Sequence, residues 1–377
     1  RGAACARRAG GGRCALGFNA TTTLRSIVTG MAVVVARGKW VIAEGGQVLE
    51  DAAVVTRDGL IVEVGPWAVV REQHPDATVL GGEESAVMPG LVNAHHHSSA
   101  VSDTQQGRLD NVLEPWLLAH AANRSAGSRR DSTMFAAGRL LRTGVTSVVD
   151  MAGCGSADAS AKAAMEEQLL AYETAGLRGC VCPGYYFRSR LVHNGDAEFL
   201  DTLPARLRAR VEAELLPPGW PPAGPDDEAA HEETECTAYL AMMEALLAGA
   251  QRQKLRFARL GYGPPGLQWV GEKAFQRIAA AAEKHDTIVQ THVQESLYER
   301  LDGPRHRGAS HIAQLHSLGC LSPRISLAHC CWASEADLKL CALPHIPSRP
   351  NAQRASQNCT LTAPCMQSGG HRCKRQP

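Results

Sequence analysis

The sequence predicts an α/β fold: a TIM-like (β/α)8 barrel, incomplete at about six strands, behind a small N-terminal antiparallel β unit. Three observations predict it. From residue 86 onward, short apolar runs alternate with segments of helical periodicity, the pattern of βα units wound into a parallel sheet. Residues 32 to 65 instead carry short strands separated by the hairpin signals Gly45-Gly46 and Asp58-Gly59. Histidines stand at the C-terminal ends of several barrel strands, on the rim where barrel active sites are built.

Residues 1–30 hold Arg1, Arg7, Arg8, Arg13 and Arg25, and no acid precedes Glu44. Such a leader reads equally as an organelle transit peptide or as a disordered extension. The β unit is expected over residues 31–85, with strands in VVVA, WVIA and DAAVVTRDGLIVEVG. The barrel is expected over residues 86–338, its first strand at Val87 to Val92. A helix over Ser132 to Arg142, capped by Asp131 or Ser132 and stopped by Gly144, leads to a second strand, Val145 to Asp150. A helix over Ala161 to Ala175 stops at Gly176, and Leu177 to Cys182 is the third strand. The Pro-rich stretch Leu216 to Glu228 is expected as a loop between two helical stretches, before a fourth strand at Leu255 to Leu260. A helix over Glu272 to Lys284 places Phe275, Ile278, Ala279 and Ala282 on one face. The fifth strand is Thr287 to Thr291. A helix near Ser310 to Leu318 precedes the sixth, Ile325 to Ala328. Residues 339–377 hold six basic residues, no acids and no apolar periodicity, so an irregular tail is expected there, with no seventh or eighth strand.

Composition narrows the function. The 39 Lys and Arg against 38 Asp and Glu leave a net charge of +1, which argues against a nucleic-acid or membrane-surface binder. No apolar run reaches transmembrane length. The 13 cysteines are odd in number and show no regular framework, and the early ones (Cys154, Cys180, Cys182, Cys236) are expected as buried thiols in a reducing compartment. The expected location is the cytoplasm, with the chloroplast or mitochondrion as the alternative if the leader is a transit peptide.

Chemistry concentrates in three places. His95-His96-His97 follows a strand, where side chains alternate faces, so His95 and His97 point one way and His96 the other. Two imidazoles on one side suit a shared metal, though three consecutive histidines are equally a polar tract. His292 ends the fifth strand in THVQES, with Glu295 just beyond. A histidine ligand beside a carboxylate suits metal-assisted hydrolysis, in which the carboxylate moves the proton. His329, in LAHCCW, ends the sixth strand. Each feature alone is explained by an ordinary strand-end polar residue; four histidines delivered to one rim are not.

At these residues the chain resembles the amidohydrolase superfamily, in the branch of cytosine and guanine deaminases and triazine hydrolases. PGLVNAHHH, LEPWL at Leu113 to Leu117, LLRTGVTSVVDM, THVQES and LAHCCWASEADL match its motifs in order, across about residues 32 to 338. The resemblance implies His95, His97 and His292 as metal ligands, Glu295 as proton shuttle, and His329 beside the metal, contacting water or substrate. It implies Zn2+, or another divalent metal such as Fe2+, and hydrolytic deamination or dechlorination of an N-heteroaromatic ring. Trp116, Gln268 and Trp269 are candidates for the substrate pocket; packing explains Trp116 as readily, and Gln268 and Trp269 more readily. The family's Asp ligand from the eighth strand has no counterpart here. The alternative expectation is therefore a truncated, catalytically inactive fragment. The expected partners are a small N-heterocyclic substrate and, among assemblies, a homodimer, with no nucleic acid and no membrane.

Two other motifs carry less. Gly261-Tyr262-Gly263-Pro264-Pro265-Gly266 fits the dinucleotide fingerprint, but Pro264 and Pro265 remove amide donors from a loop meant to cradle phosphate. Cys359, Cys365, His371 and Cys373 lack the spacing of common zinc modules.

Overall fold

Two tight turns build the first part of the chain. In the computed structural model, which describes residues 33–43, 46–98, 101, 104–107, 109–122, 128–193, 195–216, 220–221, 224–342 and 360–361, strands β1 (Val34–Ile42), β2 (Val48–Arg57) and β3 (Leu60–Pro66) form an antiparallel meander. Asp58 and Gly59 both take positive φ, 54° and 78°, as a two-residue hairpin turn of the right twist requires. Helix α1 (Trp67–Gln73) follows, then β4 (Thr78–Val87). β4 pairs with β1 in parallel, so the sheet, ordered β3-β2-β1-β4, is mixed and not purely antiparallel as expected. Val35, Ala53, Val55 and Val70 form its own small core.

The chain divides between Gly90 and Leu91. The expected first barrel strand at Val87 to Val92 spans this divide and is corrected: Val87 ends β4, and β5 runs Leu91–His96. Pro89, without an N–H, and Gly90 break the ladder that the apolar flanks suggest is continuous.

The second unit alternates as expected. After β5 come α2 (Leu113–Ala122), α3 (Arg129–Arg142), β6 (Val145–Gly153), α4 (Ala159–Ala175) and β7 (Arg178–Gly184). α5 (Asp196–Asp201), α6 (Ala205–Leu215) and α7 (Pro225–Gln253) lead to β8 (Ala258–Leu260). Then follow α8 (Leu267–Val270), α9 (Glu272–Lys284), β9 (Val289–Val293), α10 (Leu297–Arg307), α11 (His311–Ser317), β10 (Ile325–His329), α12 (Glu335–Ala342) and β11 (Thr360–Leu361). Strands β5-β6-β7-β8 form one parallel sheet and β9-β10-β11 another, and a parallel bridge from Tyr262 to Val289 links them. Met165, Leu169, Val181, Tyr239, Phe275 and Leu327 lie in the core between sheet and helices.

Three expectations shift. The cap of α3 is Ser128, whose Oγ accepts from the Asp131 N–H at 3.3 Å; Asp131 sits in the first turn, where an acid complements the dipole. Helix α7 starts at Pro225 within the stretch expected as loop, because Pro suits the first helical position and Asp226, Asp227 and Glu228 the first turn. Thr360 and Leu361 pair with Ser326 and Leu327, a seventh parallel strand where none was expected. Two paired residues are too short to leave a periodic signal. The expected leader (1–30) and the tail cysteines lie outside the described residues. No described helix is long and apolar enough to cross a membrane.

Candidate metal centre

The ends of β5, β9 and β10 bring four imidazoles together. The His95 ring lies 4.6 Å from His97, 5.0 Å from His292 and 4.9 Å from His329, edge to face in each case. His292 stacks between His97 and His329, at 5.2 and 5.3 Å. Donor atoms of His95, His97 and His292 fall within 4.8 Å of one another, as do those of His292, Glu295 and His329; His96 is in neither group.

The tautomers follow from the partners. His97 Nδ1–H donates to the Met151 carbonyl at 3.0 Å, and His292 Nδ1–H to the Pro265 carbonyl at 2.8 Å. A carbonyl only accepts, so in each ring Nε2 carries the lone pair. Gln290 Nε2 donates to the Ala94 carbonyl at 2.7 Å, which turns its Oε1 toward His95 Nδ1–H at 3.3 Å. His95 Nε2 is left bare, buried and without a partner. The Nε2 atoms of His97 and His292 face each other at 3.3 Å. Two lone pairs so placed repel unless an electrophile lies between them, and this donor set suits a borderline divalent cation.

Electrostatics keep the cluster neutral, with its lone pairs free for a metal. Burial and then the neighbouring imidazoles push His95 down to about 3, and burial with His97 pushes His329 down to about 4. Burial likewise lowers His292, which is half-buried; it lowers His97 too, but that ring's exposed edge lets water screen the shift. Glu295 goes the other way: burial, Glu299 and Glu114 push it up to about 8. Its Oε1 lies 3.4 Å from His329 Nε2, so that contact joins a protonated acid to a neutral imidazole rather than two ions. Backbone bends aim these groups. Ser98, Gln294, His329 and Cys330 all have φ between 49° and 71°, left-handed conformations that cost energy in residues other than Gly and cluster at functional sites.

The other candidates lie outside this cluster. Trp116, on α2, stacks on His120 at 5.3 Å. Trp269, on α8, stacks on His193 at 5.6 Å and meets Tyr186 edge-on at 5.2 Å. Gln268 is fully buried and neither of its amide atoms has a partner. Sequence reasoning missed Gln290, although it stands two residues before His292 on the same strand. It also missed Glu299, which the Ser296-x-x-Glu299 capping pattern signals.

The sequence profile of the amidohydrolase family matches residues 86–360. The chain belongs to this family. The amidohydrolase family is metal-dependent. A second profile, an imidazolonepropionase-like composite domain of bacteria, matches residues 52–77. The chain is similar to the 5'-deoxyadenosine deaminase of Methanosarcina barkeri, 24% identical over 297 residues, covering 78% of this chain and 55% of that protein. Among solved structures it resembles a guanine deaminase of C. acetobutylicum with bound guanine (TM-score 0.60, 15% identity, 82% of this chain and 65% of that one). It also resembles an atrazine chlorohydrolase of Arthrobacter aurescens complexed with zinc (TM-score 0.55, 21% identity, 78% and 60%). These neighbours are TIM barrels, which this amidohydrolase shares as fold. The chain spans a little over half the length of the curated relatives it matches.

Proposed function

We propose that this amidohydrolase holds one divalent metal, Zn2+ in the first instance and Fe2+ as the alternative, on His95, His97 and His292. We propose that it hydrolyses an exocyclic C–N bond, or a C–Cl bond, on an N-heteroaromatic ring. One observation carries the reading: three imidazoles whose tautomers are locked by Met151, Pro265 and Gln290 turn bare Nε2 atoms toward a common point. The named relatives are deaminases of adenosine-type and guanine rings and a hydrolase of a chlorotriazine, which supports an N-heteroaromatic substrate.

A divalent cation on these nitrogens supplies Lewis acidity and a water of lowered pKa. The chain's own groups do the rest. Glu295, held protonated near neutrality, gives its proton to a ring nitrogen or to the departing amine and recovers one from water. His329, neutral and 3.4 Å from Glu295, orients that carboxyl and offers a nitrogen to water or substrate. Trp116 and Trp269 provide flat faces for an aromatic ring, and the unpaired Gln268 amide provides two N–H donors and a carbonyl acceptor for its edge. The fold itself does not choose among such rings.

The test is metal analysis of the purified chain, with ammonia or chloride release from adenosine, guanine and chlorotriazine substrates. The expected result is about one metal per chain and turnover that a chelator abolishes and Zn2+ restores. A zinc-loaded chain that releases neither product from any of the three overturns the reading.

A further inference from the structure

Beside the histidine cluster, the turn carrying Glu295 rests on a second set of buried charges. Glu299, Asp302 and His311 are 2%, 6% and 1% exposed. His311 Nδ1 meets Glu299 Oε1 at 3.1 Å and its Nε2 meets Asp302 Oδ2 at 3.2 Å. Ionised carboxylates only accept, so between two of them both ring nitrogens carry protons and His311 is an imidazolium. Burial opposes that charge, but the bonds to Asp302 and Glu299 outweigh it and raise His311.

Glu299 sits at the third position of α10, whose cap is Ser296; the Glu299 N–H donates to Ser296 Oγ at 3.1 Å. In an ordinary capping box the glutamate side chain would return to the N–H of the cap residue. Here it reaches further back. Its Oε2 accepts from the Glu295 N–H at 2.9 Å and its Oε1 from the Gln294 N–H at 2.7 Å. Gln294 is left-handed, with φ 49°, a conformation that needs support from its surroundings. The same turn is tied on both flanks: Gln294 Nε2 donates to Asp337 at 3.2 Å, and Ser296 Oγ to Glu114 at 2.5 Å.

We propose that Glu299 is a positioning residue for Glu295: backed by the His311 imidazolium and Asp302, its carboxylate grips the Gln294 and Glu295 N–H groups and fixes the strained turn that presents the Glu295 carboxyl to His329. A helix cap alone needs neither the reach past Ser296 nor a buried cation behind it. The inference rests on Glu295 as the proton shuttle, and its test separates the two. Hydrogen exchange is measured on the full chain and its Glu299→Gln variant, and turnover on Glu299→Gln, Glu295→Gln and the double variant. In Glu299→Gln the amides of residues 294 and 295 exchange at least tenfold faster, while peptides of α9 and β7 are unchanged. Its kcat falls ten- to a hundredfold with KM within twofold, and the double variant is no slower than Glu295→Gln alone. Unchanged exchange at the turn overturns the proposal, as do multiplicative losses in the double variant. A chain without turnover, or a fully active Glu295→Gln, overturns the functional reading instead, and the exchange result still decides the role of Glu299. If Glu299→Gln unfolds, Asp302→Asn loosens His311 from behind and shows the same local pattern at smaller size.

Discussion

Gln290 touches His95 at Nδ1, the ring nitrogen opposite its bare Nε2. Its amide is anchored by the Ala94 carbonyl, so it fixes both the tautomer and the ring plane of His95. Partners of this kind are typically worth ~10- to 100-fold in metal affinity. Gln290→Ala is therefore expected to weaken zinc binding by about that factor, read by chelator competition. His292→Ala is expected to reduce bound metal from about one per chain to none. Affinity unchanged by Gln290→Ala would refute the support role. Replacing Glu295 by Gln removes the transferable proton and keeps the shape; kcat should fall ~10²- to 10⁴-fold with metal content intact. At this scale the sequence was legible where chemistry repeats a pattern. Alternation put His95 and His97 together, and strand ends announced His292 and His329. Gln290 and Glu299 act through tertiary partners that no local pattern names, Ala94 for the one and His311 for the other.

Elements were readable where caps and periods agree, and were misplaced where they compete. Gly176 stops α4 in the left-handed conformation (φ 70°) as expected, and α9 has the expected bounds. The error at β5 arose because apolar residues flank Met88-Pro89-Gly90 on both sides, so composition alone could not show where one sheet ends and the next begins. Packing between elements yields a sharper test. A Cβ on Gly179 of β7 would lie 2.6 Å from the ring of Tyr172 on α4. That ring is fully buried and its hydroxyl donates to Asp150 Oδ2 at 2.6 Å, so it cannot swing away without stripping a buried carboxylate of a donor. Gly179→Ala is expected to destabilise the second unit by ~1–3 kcal/mol, the usual cost of overpacking. Thermal melting checks this, and a variant melting at or above the parent temperature would contradict it.

Across the molecule, the same groups that serve the centre tie stability to pH. His95, His97, His292 and His329 are all lowered, so they stay neutral in the fold and take up protons on unfolding once pH drops below their ordinary value of 6.5. Their contribution is present above pH 6.5 and lost as pH falls. Glu295 has the opposite sign. Raised to about 8, it keeps a proton in the fold that the unfolded chain has released above pH 4.5. His311, raised, is charged in both states below pH 6.5 and adds no slope there; its stabilisation is lost only as pH climbs through its folded value. Between pH 6.5 and 4.5 the three shielded imidazoles, His95, His292 and His329, less Glu295 leave a net uptake of up to two protons on unfolding; His97, exposed at the surface, adds little. Each proton is worth ~1.4 kcal/mol per pH unit, so the metal-free chain should lose stability steeply on acidification through this window. Saturating zinc should raise the melting temperature, because it binds the fold and not the unfolded chain. That gain should shrink below pH 6.5, as protons compete for the same nitrogens. Replacing His95, His97 and His292 by neutral residues should remove both the zinc effect and most of the acid slope. Melting curves of the metal-free parent that do not move between pH 6.5 and 4.5 would show that these imidazoles are hydrated, not buried against one another, and would remove the electrostatic ground for a metal at their meeting point.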